Sequence, residues 1–497
     1  MSDSGRMQQQ NIYERARLSR DARFDGQFFV GVKTTGIYCR PICPAVAPKS
    51  ENVTFYQSAA AASEAGFRPC LRCRPECAPG TPAWNGTSTT VQRGLRLISS
   101  GALDEGSIEQ LADRLGVTSR HLRRLFTQHL GASPLAVAHT QRLHFAKRLI
   151  DQTNLPMTHV ATAAGYRSVR RFNDTFRRTY GRTPRELRRH SEDAFDSNSA
   201  LAVRLTYRKP FDWVAMLDFL AERATPGVEQ IVDDAYLRTV TVNGQPGVIE
   251  CKHDARRESV SLLLHGIETA QIFDVVQRVR EVLDLDAPVG EIQSVLAADK
   301  KLSKVMRRFP GIRVPGAWDG FELTVRAILG QQVSVKAATT LAGRIAARYG
   351  QKATLPASLA VRADVLDLGY LFPTPEKLSR ARLNDMGLVT SRADTIRRVA
   401  RAVVNGDIDF DNAQHPQEFC EQLMTIRGIG EWTAEYVAMR ALKHPDAFPA
   451  SDLGLIKAMS DADVISPAKL KQHAESWRPW RSYAALLLWS SLAGSGG

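Results

Sequence analysis

Four of the seven cysteines stand as two close pairs, Cys39-x3-Cys43 and, 26 residues later, Cys70-x2-Cys73. Two such pairs across a short domain have the spacing of a zinc site built from four thiolates. One zinc and four thiolates carry a net charge of about −2, so the sulfurs are electron-rich without a general base. A disulfide framework fits less well. The first residues, MSDSGRMQQQ, lack the basic and apolar regions of a secretory signal, and the chain is not a small stapled domain. Spacing alone leaves open a zinc knob that only holds residues 1–80 folded. Cys77 is placed outside the ligand set, and Cys251 and Cys420 are placed in the core.

A second stretch with chemical potential runs from Ile426 to Asp452 and begins IRGIGEWTAEYVAMRAL. Its pattern predicts a helix, a hairpin over Ile426–Gly430 and a second helix from Glu431. Gly428 and Gly430 permit positive φ and close backbone approach, so amide N–H groups can face a phosphate. Trp432 and Tyr436 lie four apart, on one face of the second helix. Downstream, ASDLGL offers Asp452 as a carboxylate; it could also be a helix N-cap, which Ser451 would supply equally well.

A third feature is charge. The chain's net charge is +14 and its pI is 9.6. Residues 114–190 hold 16 Lys and Arg against Asp151, Asp174 and Glu186, so most of that charge sits in one segment. Charge so placed is the footprint of a polyanionic partner, nucleic acid above all. Inside it lies an imperfect repeat. Ile108–Leu115 reads as a helix reaching Gly116, followed by Ser119–Thr127; Val160–Ala164 reaches Gly165, followed by Ser168–Arg178 with Phe172 and Phe176 at i, i+4. The units close in parallel, GASP at 131–134 and GRTP at 181–184, with a linking helix over Ala138–Ile150. Each unit reads as a helix-turn-helix whose basic second helix suits the major groove. Arg120, His121, Arg123 and Arg124, with Arg167, Arg170 and Arg171, are the candidates for groove or phosphate contact. Such contacts make binding steeply salt-dependent.

The 497 residues suffice for three or four domains, and 24% charged with 43% hydrophobic residues is ordinary for a soluble protein. No apolar run approaches the length that spans a membrane, so the expected place is the bacterial cytoplasm, with the nucleoid. The stretches 78–90 and 191–199 read as linkers. Beyond them, strands are predicted over Leu201–Tyr207, Ala235–Val242, Gly247–Cys251 and Val260–Leu264, with a helix over Phe211–Ala224. From about residue 283 the pattern is helical, with turns at Pro310, Pro315 and Phe372–Pro375. The expected fold is multidomain α+β: a small zinc-bound α/β domain (1–80), an all-α double helix-turn-helix domain (88–190), an α+β sheet subdomain (201–282) and an all-α helix–hairpin–helix domain (283–495).

Three resemblances sharpen these expectations. TTGIYCRPIC (34–43), ENVTFY (51–56) and GFRPCLRC (66–73) resemble the N-terminal domain of the Ada family. That likeness implies that Cys39 irreversibly accepts a methyl group from a DNA methylphosphotriester. A neutral triester can approach the anionic site, and the transfer leaves a neutral thioether, a built-in switch. The paired helix-turn-helix units, with YRSVRRF and FRRTYGRTPREL, resemble the AraC-type DNA-binding domain. The hairpin with its downstream Asp resembles the helix–hairpin–helix DNA glycosylase superfamily. YRKPFDWVAMLDFLAERA (207–224), FELTVRAILGQQVSVKAATTLAGRIA (321–346), FPTPEKL (372–378) and WRPWRSYAALLLW (477–489) look like its AlkA-type 3-methyladenine glycosylases. Two departures stand out: Arg427 replaces a common hairpin Pro, and Gln332 stands where a relative inserts an apolar wedge into DNA.

By that resemblance Phe219, Trp432, Tyr436 and Trp489 form an electron-rich pocket for a cationic, alkylated purine rotated out of the duplex. Asp452 stabilises the oxocarbenium-like sugar and orients water. Trp432 occupies the place of the Schiff-base lysine of bifunctional relatives, which implies hydrolysis without strand cleavage. No cysteine follows Cys420, so no iron–sulfur cluster is expected, and no Pro-Cys-His-Arg core for O6-methylguanine occurs. The combined expectation is an alkylation sensor and transcription regulator fused to a base-excision glycosylase. It binds one zinc ion, damaged and promoter double-stranded DNA and, as an activator, RNA polymerase, and is a monomer. Two alternatives remain at this stage: a regulator whose C-terminal half reads damage without catalysis, and an enzyme whose zinc is purely structural.

Overall fold

The computed structural model describes residues 3–21, 24–78, 89–99, 101–104, 106–188, 201–355, 359, 368–410, 416–460 and 464–493. The expected linker 191–199, most of 78–90 and the side chain of Cys77 lie outside the described residues. Contacts divide the chain into two compact units, residues 1–209 with 268–277, and residues 210–267 with 278–497.

The first unit opens with helix α1 (Asp3–Leu18) and a four-stranded sheet, β1 (Phe29–Val32), β2 (Ile37–Cys39), β3 (Val53–Tyr56) and β4 (Arg68–Pro69), in the order β3-β1-β2-β4. Strand β1 is central and all four of its residues are buried, as its FVGV sequence allows. Gly31 is required there, because a Cβ would stand 2.6 Å from the Tyr56 ring. Helix α2 (Ala59–Glu64) is capped by Ser58, whose hydroxyl accepts from the Ala61 N–H and donates to the Leu130 carbonyl. Its four alanines are buried, and their small side chains bring it close to the longest helix of the unit.

The remaining helices are α3 (Thr89–Ser99), α4 (Ile108–Arg114), α5 (Ser119–Leu130), α6 (Pro134–Gln152), α7 (Met157–Ala163), α8 (Val169–Tyr180) and α9 (Pro184–Leu187). Pairs α4–α5 and α7–α8 are the two helix-turn-helix units. Gly116 and Gly165 sit at their turns with φ of 69° and 74°. The GASP and GRTP repeats each do three jobs: a left-handed Gly ends one helix, Ser133 or Thr183 caps the next, and Pro takes its first turn. The linking helix α6 is longer than expected, because the Ser133 cap starts it four residues before Ala138.

In the second unit, helix α10 (Trp213–Arg223) accompanies strands β5 (Glu229–Val232), β6 (Ala235–Val242), β7 (Gln245–Asp254) and β8 (Ser259–His265). Consecutive strands pair antiparallel. Strand β5 was not expected: EQIV is short and carries a charge at its start. That charge, Glu229, is buried and joins the sheet to helix α11 (Gly320–Leu329). Its carboxylate takes Arg238 and Arg326 at 2.8 Å each and the Tyr236 hydroxyl at 2.7 Å, while Glu322 takes the same two arginines. The remaining helices that matter are α12 (Val335–Tyr349), α13 (Thr390–Val404), α14 (Pro416–Met424), α15 (Glu431–Arg440), α16 (Leu453–Met459) and α17 (Arg481–Ala493). The whole is a multidomain α+β fold.

Burial pushes the Glu229 carboxyl up, but Arg326 and Arg238 outweigh it and hold the pKa at about 2, below the 4.5 of the free side chain. The stabilisation from this group is therefore complete above pH 4.5 and is lost as pH falls through about 2. Replacing it leaves the buried guanidinium of Arg238 and the half-buried one of Arg326 short of an anionic partner. Glu229→Gln is expected to cost about 3–5 kcal/mol in urea unfolding at pH 7; a cost under about 1 kcal/mol would contradict this role.

Candidate functional site

The second unit contains a cavity of about 1120 Å³ lined by residues from α10, α11, α12, α15, α17 and the start of α16. It gathers Phe219, Gln332, Gly430, Trp432, Tyr436, Asp452 and Trp489. These residues come from five separated stretches of sequence, so only the fold brings them together.

Asp452 stands at the N-terminus of α16 and is its N-cap, accepting the Leu455 N–H at 3.0 Å. Ser451 does not take that role. The same oxygen, Oδ1, accepts Trp489 Nε1 at 2.9 Å, and Oδ2 accepts Trp432 Nε1 at 2.8 Å. Capping and placement at the cavity wall are thus one arrangement, with the carboxylate fixed by three donors. Trp432 stacks on Tyr436 at 5.4 Å between centroids and 9° between planes, and Tyr436 meets Trp489 at 6.3 Å and 59°. Parallel rings with an open cavity beside them form a slot for a flat, electron-poor ring.

The hairpin precedes α15. Gly428 has φ of 103°, and a Cβ there would fall 2.0 Å from Thr395 Oγ1 on α13. That hydroxyl shares its one hydrogen between the Ser391 carbonyl at 2.9 Å and the Arg427 carbonyl at 3.2 Å, which ties the turn to α13 although Arg replaces Pro. Among the described residues nothing accepts from the amides of Gly428 and Gly430, which leaves both for an anion. Gly428 itself does not line the cavity.

The loop between α11 and α12 carries Gln332, exposed and at φ of 56°, a region that costs a non-glycine residue about 1–3 kcal/mol. Its neighbour Gln331 fixes the loop. The Gln331 amide donates to the Gly428 carbonyl at 3.1 Å and to Thr433 Oγ1 at 3.0 Å, and its own carbonyl accepts from Arg392. The loop therefore presents Gln332 at the cavity's rim, beside the hairpin.

Three arginines of the cavity wall, Arg223, Arg326 and Arg440, and the exposed Leu453 were not expected. For Arg440 a signal existed: it follows Trp432 and Tyr436 at i+8 and i+4 on one helix face. Nothing comparable marked Arg223 or Arg326.

In the first unit, Tyr38 of β2 lies opposite Pro69 of the parallel strand β4, and the Cys70 N–H donates to the Tyr38 carbonyl at 3.0 Å. Cys39, the last residue of β2, and Cys70, the first after β4, thus stand side by side at the end of the sheet. A turn after each, with Cys43 N–H to Arg40 O at 3.1 Å and Arg74 N–H to Cys70 O at 3.0 Å, returns Cys43 and Cys73 to the same point. All four Sγ atoms lie within 4.8 Å of one another. Sulfurs around a tetrahedral zinc with bonds of about 2.3 Å are spaced about 3.8 Å, so the donor set and its size fit one zinc ion. The Arg40 N–H donates to Cys73 Sγ at 3.3 Å, the kind of contact that orients a ligand. Cys39 is half-buried, whereas Cys70 and Cys73 are buried; Cys251 and Cys420 are buried in the second unit. Arg120, Arg123 and Arg124 are exposed on α5, with His121 half-buried beside them, and Arg170 and Arg171 are exposed on α8 with Arg167 just before it.

Four family models match successive parts of the chain. They are the metal binding domain of Ada (residues 13–76), a helix-turn-helix domain (111–190), the AlkA N-terminal domain (202–319) and the HhH-GPD superfamily of base excision DNA repair proteins (325–482). A Mycobacterium tuberculosis protein named "Probable bifunctional transcriptional activator/DNA repair enzyme AlkA" is 41% identical over 483 residues, 96% of this chain and 95% of its own. The DNA-3-methyladenine glycosylase 2 of Escherichia coli K12 is 33% identical over 289 residues, 57% of this chain and 95% of its own. Among solved structures, the Archaeoglobus fulgidus 3-methyladenine DNA-glycosylase matches with a TM-score of 0.50 at 24% identity, covering 57% of this chain and 96% of that one. This likeness bears on the fold of the second half.

The convergence of four sulfurs predicts about one zinc per purified chain by elemental analysis. Cys43→Ser should lower that occupancy and loosen the first unit; full occupancy in the variant would remove Cys43 from the ligand set.

Proposed function

The chain belongs to the family of bifunctional transcriptional activator/DNA repair enzymes of the AlkA type, and from that membership we propose a division of labour along it. Residues 1–80 accept methyl groups from DNA methylphosphotriesters, 88–190 bind DNA, and 201–282 with 283–495 excise alkylated purines such as 3-methyladenine. The observation that carries the enzymatic half is Asp452, pinned by Trp432 and Trp489 at the wall of the aromatic cavity.

A damaged base turned out of the helix enters the slot beside Trp432 and Tyr436. The hairpin amides of Gly428 and Gly430 hold a backbone phosphate, and Gln332 fills the gap left in the duplex. Rotation costs about a few kcal/mol, least for a weakly paired lesion, which is one source of selectivity. A purine methylated at N3 or N7 is cationic, so the electron-rich rings favour it. As the C1′–N9 bond breaks, its electron pair goes to the base and positive charge grows on the sugar. The fixed carboxylate of Asp452 stabilises that charge and orients water, which gives hydroxyl to C1′ and its proton, by way of the carboxylate, to solvent, while the methylated base leaves neutral. No lysine stands at the hairpin to form an imine, so an abasic site remains on an uncut strand.

Zinc, when bound, keeps the four sulfurs as thiolates at neutral pH. Cys39 attacks the methyl carbon of the triester; the C–O bond breaks, its pair stays on phosphate as a diester anion, and the sulfur becomes a neutral thioether. One negative charge disappears next to DNA, which strengthens promoter binding by the helix-turn-helix arginines. We place the protein in the cytoplasm with the nucleoid, as a monomer that meets RNA polymerase at such a promoter, with zinc as its sole metal.

Methylated duplex DNA tests both halves. Wild type should release 3-methyladenine, and Asp452→Asn should be slower by at least about 100-fold. Release by neither protein, with DNA still bound, would make the C-terminal half a damage reader. Radiolabelled methyl transfer to protein should vanish in Cys39→Ser; transfer persisting there would return the cysteine cluster to a structural role.

A further inference from the structure

The cavity that this reading assigns to the base has a charged floor. Arg440 is 4% exposed, and all the bonds of its guanidinium go to neutral oxygens: Nε to Pro315 O at 2.9 Å, Nη2 to Gly316 O at 3.1 Å and Nη1 to the Tyr436 hydroxyl at 2.8 Å. Among the described residues no carboxylate forms an ion pair with it. Its neighbours Arg238 and Arg326 differ, since they share Glu229 and Glu322, two anions for two cations. Arg440 is thus a buried charge without a counter-ion, an arrangement that costs stability. Beside it, the Phe219 ring is clasped by Arg440 at 4.9 Å and Arg223 at 4.0 Å.

The Tyr436 oxygen accepts from Arg440, and no group among the described residues accepts its own hydrogen. Burial would raise the phenol pKa, but Arg440, Arg223 and Arg326 outweigh it and bring it below the usual value, so the hydroxyl is a stronger donor than an ordinary tyrosine. Along α15 the order is Trp432 on the Asp452 carboxylate, Tyr436 one turn on, and Arg440 one turn deeper. The slot is therefore polar along its length, with an anion where the sugar would sit and a cation-backed O–H donor where the base would sit.

That layout matters for the leaving group. A cationic lesion becomes neutral when it takes the C1′–N9 pair and needs no help. A neutral purine becomes an anion, and an anion in a low-dielectric pocket needs a preorganised donor. We propose that the Tyr436 hydroxyl, polarised by Arg440, donates a hydrogen bond to the departing base and stabilises the negative charge that grows on it. Tyr436 is then a catalytic residue for uncharged purine lesions that carry a hydrogen-bond acceptor, and Arg440 is its positioning residue. For such a neutral lesion the pair passes to N9, water supplies hydroxyl to C1′, and its proton ends on the base.

The proposal rests on the glycosylase reading, and one experiment separates the two. Single-turnover excision is measured on duplexes holding one 7-methylguanine, a cation, or one hypoxanthine, a neutral purine with a carbonyl acceptor. Tyr436→Phe keeps the ring stack and removes only the hydroxyl. The variant should lose at least about 30-fold more activity on hypoxanthine than on 7-methylguanine, and the lower melting temperature expected when Arg440 Nη1 loses its acceptor affects both substrates alike. An equal loss on both, or no loss on hypoxanthine, overturns the proposal, as does a wild type that releases 7-methylguanine but not hypoxanthine. A wild type that releases neither defeats the glycosylase reading itself.

Discussion

The second unit depends on the three N–H groups that hold the Asp452 carboxylate: Trp432 Nε1, Trp489 Nε1 and the Leu455 amide. Two of these donors are edges of rings that line the cavity, so the rings that wall it also aim the carboxylate. Moving α15, α16 or α17 relative to the others would break the ring stack and the carboxylate's support together. The hairpin before α15 and the loop carrying Gln332 are tied to the same helix through Gln331, which reaches Gly428 and Thr433. The buried network of Glu229, Glu322, Arg238 and Arg326 ties the sheet to α11, and α10 brings Phe219 to the cavity wall. Rigid support of this kind is what a site needs when its work is electrostatic and its geometry must not relax.

The first unit solves a different problem, the placing of four thiolates next to a DNA-binding element. Tyr38, the residue before Cys39, is buried and its hydroxyl lies 2.8 Å from His144 Nε2 on α6. Burial and then the Arg148 charge push the His144 pKa down to about 3, so a neutral pair locks the strand to the helix. Nearby, Glu76 and Asp151 are buried between Lys147 and Arg74. The cysteine-bearing sheet and the helix that links the two helix-turn-helix units thus share one core. The change of charge proposed at Cys39 would occur on a body already joined to the arginine-bearing helices.

Much of this was legible in the sequence because local chemistry dictated it. Cysteine spacing marked the four sulfurs that the fold brings together, the GASP and GRTP repeats specified caps and turns, and Trp432 and Tyr436 were placed on one face by the helical period alone. The strand over Ala235–Val242 has its expected limits. Features that depend on distant partners were not legible. Strand β5 is short and starts with a glutamate that only its arginine partners make tolerable inside. Asp452, and not Ser451, caps α16 because two indoles from distant helices fix its side chain. Arg440 stood on the legible face of α15, two turns after Trp432, but its lack of a carboxylate partner among the described residues depends on the fold and leaves no mark in the sequence.

On the proposed mechanism Asp452 is held where it meets positive charge on the sugar. The most direct test is binding of duplexes containing a cationic pyrrolidine in place of the sugar, compared with an uncharged tetrahydrofuran of the same shape. Taking the ratio of the two affinities cancels the DNA binding of the helix-turn-helix units. Wild type should prefer the cation by at least about tenfold, and Asp452→Asn should lose the preference. Equal affinity of the wild type for both duplexes would contradict it.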